Sequence, residues 1–592
     1  MFVIATAGHV DHGKSTLVNA LTTMDPDRWE EEKRRGLTID LGFAWTTLES
    51  GANVAFVDVP GHERFITNTL AGLGPAPAVL LVIAADEGWK EQTSEHLEAI
   101  DALGISRGII VLTRMDNGQR ITEATVRDKL AGTSLADAEI HAVSARTGDG
   151  MDKLRRAIDN LLLDNEELTA AAQQPVRMWI DRAFSVKGAG TVVTGTWAAG
   201  QLNVGDSPRL LSARGVHEVS VRGLHSENNA IEQAEPVMRL AINLRGVDAE
   251  AISRGDVLTS AVSSWWQPEV IDVRRRTGPA LDTIPKELNI HVGTASVPVH
   301  VRPLGAEHAR LTLQGSTLPL RISDRLALRG SGLDTLSGVE VIDMDPPSVR
   351  RRGAPAQRAE ELQNLDPRDA SSYLTRKSAV RKDTLAAAGF DVDTKPSSVI
   401  EFRSWWVDAQ AIAQWTSQLR EIFDEYMSKN PLAEGLPLAT TLSTLALPDD
   451  SLLAIAVAGA RLTRKGAMIH DSEAAPRGLG PAEKAVAELE AQLAHEPFVA
   501  PDAHTLQKLG LGTSELAAAE RAGRLLRIDG IVLLPSAPKQ AAQILAQLSG
   551  EFTLSEARRA LATTRRVAVP LLEYMDAHGL TKRTSDSTRV VA

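Results

Sequence analysis

Apolar and polar positions divide the chain into three kinds of text. Up to about residue 172, near-continuous apolar runs alternate with helical segments. The runs are Phe2-Val3-Ile4-Ala5, Val54-Ala55-Phe56-Val57, Ala78-Val79-Leu80-Leu81-Val82-Ile83 and Gly108-Ile109-Ile110-Val111-Leu112. A strand that is apolar on both sides of its pleat needs cover on both faces, as a parallel strand between helices has. Helical spacing fills the gaps, for example over 17–21 and 93–103. This predicts a doubly wound α/β domain over 1–172.

From 173 the text changes. Met178-Trp179-Ile180-Asp181-Arg182-Ala183-Phe184-Ser185-Val186 leads through a Gly188-Ala189-Gly190 turn into Thr191-Val192-Val193-Thr194. Short β segments between glycine turns predict a small barrel over 173–262. More β segments, such as Val270-Ile271-Asp272-Val273 and Ala309-Arg310-Leu311-Thr312-Leu313, predict a second barrel over 263–346. The stretch Arg350-Arg351-Arg352-Gly353-Ala354-Pro355 then predicts an exposed linker. Beyond it helices alternate with short hairpins, and turns at 466, 530 and 586 give a period of about 60 residues. Asp529-Gly530 is a strong hairpin turn signal. Helices followed by a hairpin at that size predict winged helices, over 347–418, 419–475, 476–537 and 538–592; the first is the most degenerate, with Val399-Ile400-Glu401-Phe402 as its wing.

Composition narrows the picture in three ways. The 592 residues contain no cysteine, which excludes disulfides and cysteine-based zinc sites and fits a cytoplasmic protein. The longest apolar run, 76–85, is broken by Pro77 and is far too short to span a bilayer, so no membrane is expected. With a candidate site beginning at residue 8, no leader peptide is expected. Net charge is −12, yet residues 536–592 carry eight Lys and Arg against five Asp and Glu. A basic tail on an acidic body places any nucleic-acid contact at the C-terminus.

Candidate chemistry starts at Gly8-His9-Val10-Asp11-His12-Gly13-Lys14-Ser15-Thr16, a G-x-x-x-x-G-K-[ST] loop between a strand and a helix. Its backbone N–H groups can cradle phosphates, with Lys14 on the β- and γ-phosphates and the Ser15 hydroxyl on Mg²⁺. Asp58-Val59-Pro60-Gly61-His62 follows a strand. There Asp58 can hold the metal, Gly61 can approach the γ-phosphate and His62 can orient the attacking water. In Arg35-Gly36-Leu37-Thr38-Ile39, the Thr38 hydroxyl can ligate Mg²⁺ only while a γ-phosphate is present, which makes the segment a switch. Thr113-Arg114-Met115-Asp116 stands where [NT]-K-x-D is expected for guanine, with Arg114 in place of Lys and its stem able to pack on the base. Ser144-Ala145-Arg146 fits the last base-contacting loop. GTP and Mg²⁺ are the implied cofactors.

This set of motifs resembles the translational GTPases, the family of elongation factor Tu. The resemblance implies a ribosome-activated GTPase that carries an RNA. Within it, the I-D-R-A-F-x-V-K-G-A-G-T-V-V-T-G-T wording and the 35–43 segment are similar to the selenocysteine-specific elongation factors, whose bacterial members carry four winged helices after the GTPase core. The resemblance implies an aminoacyl pocket at Arg182 and Arg239. Phe43 could add a wall. A selenol is more acidic than a thiol, so such a pocket should offer cations to an anion. It also implies that the last winged helix binds the messenger hairpin that recodes UGA. There Arg565 and Arg566 sit at a helix N-terminus, against dipole preference, as a phosphate clamp would. Arg558, Lys582 and Arg583 could help. The implied partners are selenocysteinyl-tRNA, that hairpin and the ribosome, and a monomer is expected. Three alternatives compete: a general or initiator tRNA carrier, a non-catalytic RNA adaptor, and a DNA-binding regulator. The tail and pocket arginines speak against the first, and the intact Gly61-His62 pair against the second. Sequence alone does not settle RNA against DNA at the Arg pair.

Overall fold

The computed structural model describes residues 2–26, 38–118, 120–162, 165–260, 265–330, 336–471, 479–548, 550–584 and 588–592. Arg35, Gly36, Leu37, the boundary at 262 and the turn at 586 lie outside the described residues. The chain forms two compact units, Met1–Trp406 and Val407–Ala592.

The first unit opens with a six-stranded sheet in the order β2-β3-β1-β4-β5-β6. The strands are β1 (Phe2–Ala7), β2 (Gly42–Thr47), β3 (Asn53–Asp58), β4 (Ala78–Ala84), β5 (Arg107–Thr113) and β6 (Glu139–Ala142). β1 lies centrally, with Ile4 paired to Phe56 on one side and to Ala78 on the other. All pairings are parallel except β2 with β3, which sets Phe43 opposite Val57. The near-continuous apolar runs have the predicted cause. Val3, Ala5, Leu81 and Ile83 enter the core on one face, and Phe2, Ile4, Leu80 and Val82 the core on the other. Helices Lys14–Thr22, Ile66–Leu73, Glu91–Leu103 and Met151–Leu161 belong to this domain.

An eight-stranded antiparallel sheet follows, whose central strands are Arg177–Val186, Gly190–Trp197 and Met238–Arg245. Met178, Ile180, Val193, Leu240 and Ile242 form its core. Then a six-stranded antiparallel barrel closes between Val270–Arg275 and Ser337–Asp343.

The segment after this barrel departs from the expected linker. A helix begins at Ala354, directly after Gly353. Arg358 is 4% exposed and inserts between Asp272 and Asp343 of the barrel. Arg310 and Arg376 complete the cluster. Tyr373, Leu374 and Trp406 join one hydrophobic core with Val273, Leu311 and Val341. The first winged helix therefore shares its core with the second barrel.

In the second unit, helix Ala409–Lys429 spans 21 residues. Residue 418, the expected end of the first winged helix, falls inside it. Hairpin Leu462–Lys465 with Met468–Asp471 follows. Helices Glu483–His495, Ala503–Lys508 and Thr513–Arg521 precede hairpin Leu526–Ile528 with Ile531–Leu533, where Asp529 and Gly530 both have positive φ. Helices Ala537–Leu545, Leu554–Ala560 and Arg565–Ala577 come last, with strands Thr581–Arg583 and Thr588–Val591. Among the described residues no helix is long and apolar enough to cross a membrane.

Candidate functional site

The phosphate loop runs from β1 into helix Lys14–Thr22. Gly8 has φ +129°, and a Cβ there would lie 2.1 Å from Val82 O, so no other residue fits. The Lys14 ammonium, 6% exposed, donates to the carbonyls of Gly8 and His9 at 3.0 Å each. It thus sits against the loop, where phosphate oxygens would meet it. Asp11 and Thr16 are exposed, whereas His12 is fully buried.

Two residues beneath the loop escaped the sequence reading. Gln92 and His96 lie one turn apart on helix Glu91–Leu103. Gln92 Oε1 accepts from Val10 N at 3.2 Å, and His96 Nδ1 accepts from Gly8 N at 2.9 Å. The i, i+4 spacing that aims both side chains at one place was their only signal. Burial, with a smaller push from Lys14, drives the His96 imidazole down to about 3. Burial, then His9, drives His12 down to about 4. Both rings are neutral at physiological pH.

The metal candidates converge. Ser15 Oγ donates to Asp58 Oδ2 at 2.6 Å and lies 3.3 Å from Thr38 Oγ1. Thr6 Oγ1 donates to Asp58 Oδ1 at 2.6 Å and orients the fully buried carboxylate. Two hydroxyls and one carboxylate form a hard-oxygen set, which suits Mg²⁺ when phosphates supply the remaining ligands. Gly61 packs directly on the loop: a Cβ there would lie 2.5 Å from Lys14 Nζ and 2.6 Å from Val10 N. His62 does not join this cluster. Its Nδ1 accepts from Arg64 N at 3.2 Å and its ring stands 6.1 Å edge-on from Phe65.

At the base site, Asp116 accepts from Ser144 Oγ at 2.8 Å, and Arg146 Nε lies 3.3 Å away. The Ser144 hydroxyl, aided by Arg146, holds the carboxyl below its usual range, so it stays an acceptor for two N–H groups. Thr113 Oγ1 donates to His12 O at 2.7 Å and ties this edge to the loop. Arg114, in left-handed backbone, spends its guanidinium on Asp11 O and on Glu87 at 2.8 Å. It clamps the loop, a use that the base-stacking expectation did not include. Ala145 links Ser144 to Arg146 and is half-buried.

Phe43, Arg182 and Arg239 come together. They line a cavity of about 450 Å³ with Trp45, Thr194 and His225. The Arg239 guanidinium lies 3.9 Å from the Phe43 ring centroid and that of Arg182 lies 4.9 Å from it. Asp181, missed although it precedes Arg182, grips Arg239 through both carboxylate oxygens and accepts from Thr194. Arg182 donates to Leu41 O and to Asp40. Asp40 and Arg254 were also missed, because one lies on the approach to β2 and the other on a barrel turn.

In the last fold, Arg558, Arg565, Arg566, Lys582 and Arg583 are all exposed. Arg565 and Arg566 open helix Arg565–Ala577, whose N-cap Thr564 makes no side-chain cap bond. Arg566 donates to Ala500 O at 2.5 Å, and Arg583 lies 3.6 Å from Asp576 and 3.8 Å from Glu573. Arg558, Arg565 and Lys582 make no ion pair among the described residues, and so are the more available to a ligand.

Comparison with known proteins matches residues 1–164 to the elongation factor Tu GTP binding domain and residues 543–590 to the winged helix of elongation factor SelB. The selenocysteine-specific elongation factor of Escherichia coli K12 is 33% identical, over 98% of this chain and 97% of its own. The crystal structure of a bacterial selenocysteine-specific elongation factor, EF-Sec, superposes with a TM-score of 0.70 over 100% of both chains at 27% identity. A translation elongation factor SelB from Methanococcus maripaludis, solved in complex with the GTP analogue GppNHp, reaches 0.50 at 26% identity, over 58% of this chain and 79% of its own. Similarity that runs from the nucleotide domain to the last winged helix, at one-third identity, leaves a single assignment: the chain belongs to the selenocysteine-specific elongation factors and is a GTPase of translation.

Proposed function

We propose that this chain, in its GTP form, carries selenocysteinyl-tRNA to a ribosome paused at a UGA codon that a messenger hairpin marks. It acts as a monomer in the cytoplasm. The observation that carries the reading is the arginine-lined cavity. Arg182 and Arg239 face one aromatic wall, Phe43, and are braced by Asp40 and Asp181. Two guanidinium groups beside one aromatic ring favour an anion there, and a selenolate is one where a serine hydroxyl is not.

Lys14 and the loop N–H groups hold phosphate, while Ser15, Thr38 and Asp58 hold Mg²⁺. Bound Mg²⁺ would neutralise charge on the phosphates. Asp116, Ser144, Ala145 and Arg146, with Thr113 and Arg114, form the guanine side. Gly61 offers its N–H towards the γ-phosphate. Because His62 Nδ1 accepts from Arg64 N, the proton of the neutral ring sits on Nε2. The ring must swing from its own turn to orient water, and the ribosome supplies the contact that moves it. The α/β domain, the two barrels and four winged helices divide these tasks, and the arginines of 538–592 meet the hairpin.

The test is a titration in GTP with selenocysteinyl-tRNA and seryl-tRNA of one RNA sequence. Tighter binding of the selenocysteinyl form is expected. Equal affinities would overturn the pocket assignment.

A further inference from the structure

The geometry points to Arg254 as the positioning residue that couples the nucleotide switch to the aminoacyl pocket. The inference rests on the pocket reading above and adds to it the means by which the pocket learns the nucleotide state.

Arg254 divides its guanidinium among three separate elements. Nη2 donates to Asp40 Oδ1 at 2.7 Å, two residues after the metal candidate Thr38. Nη1 donates to Asn68 Oδ1 at 2.9 Å, on helix Ile66–Leu73 that follows Gly61 and His62. Nε donates to the main-chain oxygen of Asp181 at 3.1 Å. The two switch-side partners are also bonded to each other, since Asn68 Nδ2 donates to Ile39 O at 2.9 Å. Arg254 itself is fixed by its turn: Gly255 N donates to Ile180 O at 3.0 Å and Ile180 N to Asp256 O at 2.9 Å.

On the pocket side, Asp40 and Asp181 are the residues that hold the two stacked arginines. Asp40 Oδ2 accepts from Arg182, and the Asp181 carboxylate grips Arg239. Arg254 therefore touches both braces of the pocket and both segments that border the γ-phosphate position. Only an arginine can do this, because a planar fork reaches three acceptors in fixed directions where a lysine ammonium is a single point. If the 38–40 segment leaves Ser15 and Asp58, Asp40 leaves with it. Arg182 then loses its brace while Arg254 loses one of three partners. Two segments biasing one shared residue is a coupling free energy between sites, and it must act equally in both directions.

The test uses the full chain with Arg254→Lys, and separately Asn68→Ala, which removes no charge. Selenocysteinyl-tRNA affinity is measured in the GTP and GDP forms of each, with GTP affinity of the free protein as the control for folding. Both variants are expected to keep free GTP affinity within about twofold and to shrink the GTP-to-GDP ratio of tRNA affinity at least tenfold, about 1.4 kcal/mol of coupling. By reciprocity, bound tRNA should favour GTP over GDP less in the variants, by the same factor. A ratio unchanged in either variant, or a loss equal in both nucleotide forms, would overturn the coupling role. The pocket reading fails differently: wild type would then bind seryl- and selenocysteinyl-tRNA alike, whatever Arg254 does to the ratio.

Discussion

Acidification should loosen the phosphate loop through His96. In the fold this imidazole is held near 3 by burial, beside Lys14, whereas in the unfolded chain it titrates near 6.5. Its Nδ1 must stay unprotonated to accept the Gly8 N–H. The depressed pKa means that the unfolded chain takes up a proton first. Stability is therefore complete above pH 6.5 and is lost as pH falls towards 3. The full loss across that window is about 5 kcal/mol, and at pH 5 it is about 2 kcal/mol, from 1.36 kcal/mol per unit. The comparison variant is His96→Asn, whose side-chain oxygen can stand close to the Nδ1 position but cannot titrate. Its lost ring leaves a cavity that costs the same at every pH. Hydrogen exchange of the β1 peptide measures local opening in both proteins. Between pH 7.5 and 5, wild-type protection should fall about thirtyfold more than that of the variant, once intrinsic rates are removed. A difference that stays flat over this interval would refute the argument, since every other titrating group cancels between the two proteins.

His62→Ala should leave GTP affinity unchanged and abolish ribosome-stimulated hydrolysis in a single-turnover assay, because the ring is held in its own turn by Arg64 N. For the tail, Arg565→Ala should weaken binding of a messenger hairpin and reduce the salt slope by about one phosphate's worth. Arg566→Ala should do less to the slope, because that guanidinium is already bonded to Ala500 O. Filter binding across a salt series separates the two. Arg358→Ala leaves Asp272 with Arg310 and Asp343 with Arg376, and the lost charged hydrogen bonds should cost about 2 kcal/mol or more. Limited proteolysis should then cut within 347–406 at a denaturant concentration that leaves the wild type intact.

How much of this was legible depended on whether chemistry and sequence position coincide. Strands β1, β4 and β5 were readable because parallel strands covered on both faces admit little but apolar residues. The phosphate loop was readable because Gly8 and Gly61 stand where a Cβ would strike backbone or Lys14. Phe43, Arg182 and Arg239 line one cavity, yet the carboxylates that brace the two arginines were invisible in the sequence. Asp40 and Arg254 are 214 positions apart, and no local pattern brings such residues into view. Gln92 and His96 hide in an ordinary helix, where a buried histidine has the same spacing as a core leucine. Of the expected linker at 350–355, Arg350, Arg351 and Arg352 are exposed as their composition suggests, while Ala354 and Pro355 already belong to a helix. Arg358, past its end, is sealed inside an ion cluster. Composition cannot tell an arginine that meets water from one that meets two aspartates.

The shared core of the second barrel and the first winged helix bears on how the chain can be cut. Counted by repeats, the tail begins near 347. Counted by what each piece could bury alone, it begins after Trp406. A fragment ending at 346 would lose Tyr373, Leu374 and Trp406 from the joint core and would strip Asp272 of Arg358. The barrel therefore keeps its cover only in a piece that includes Trp406, and the helices after 353 serve it as masonry.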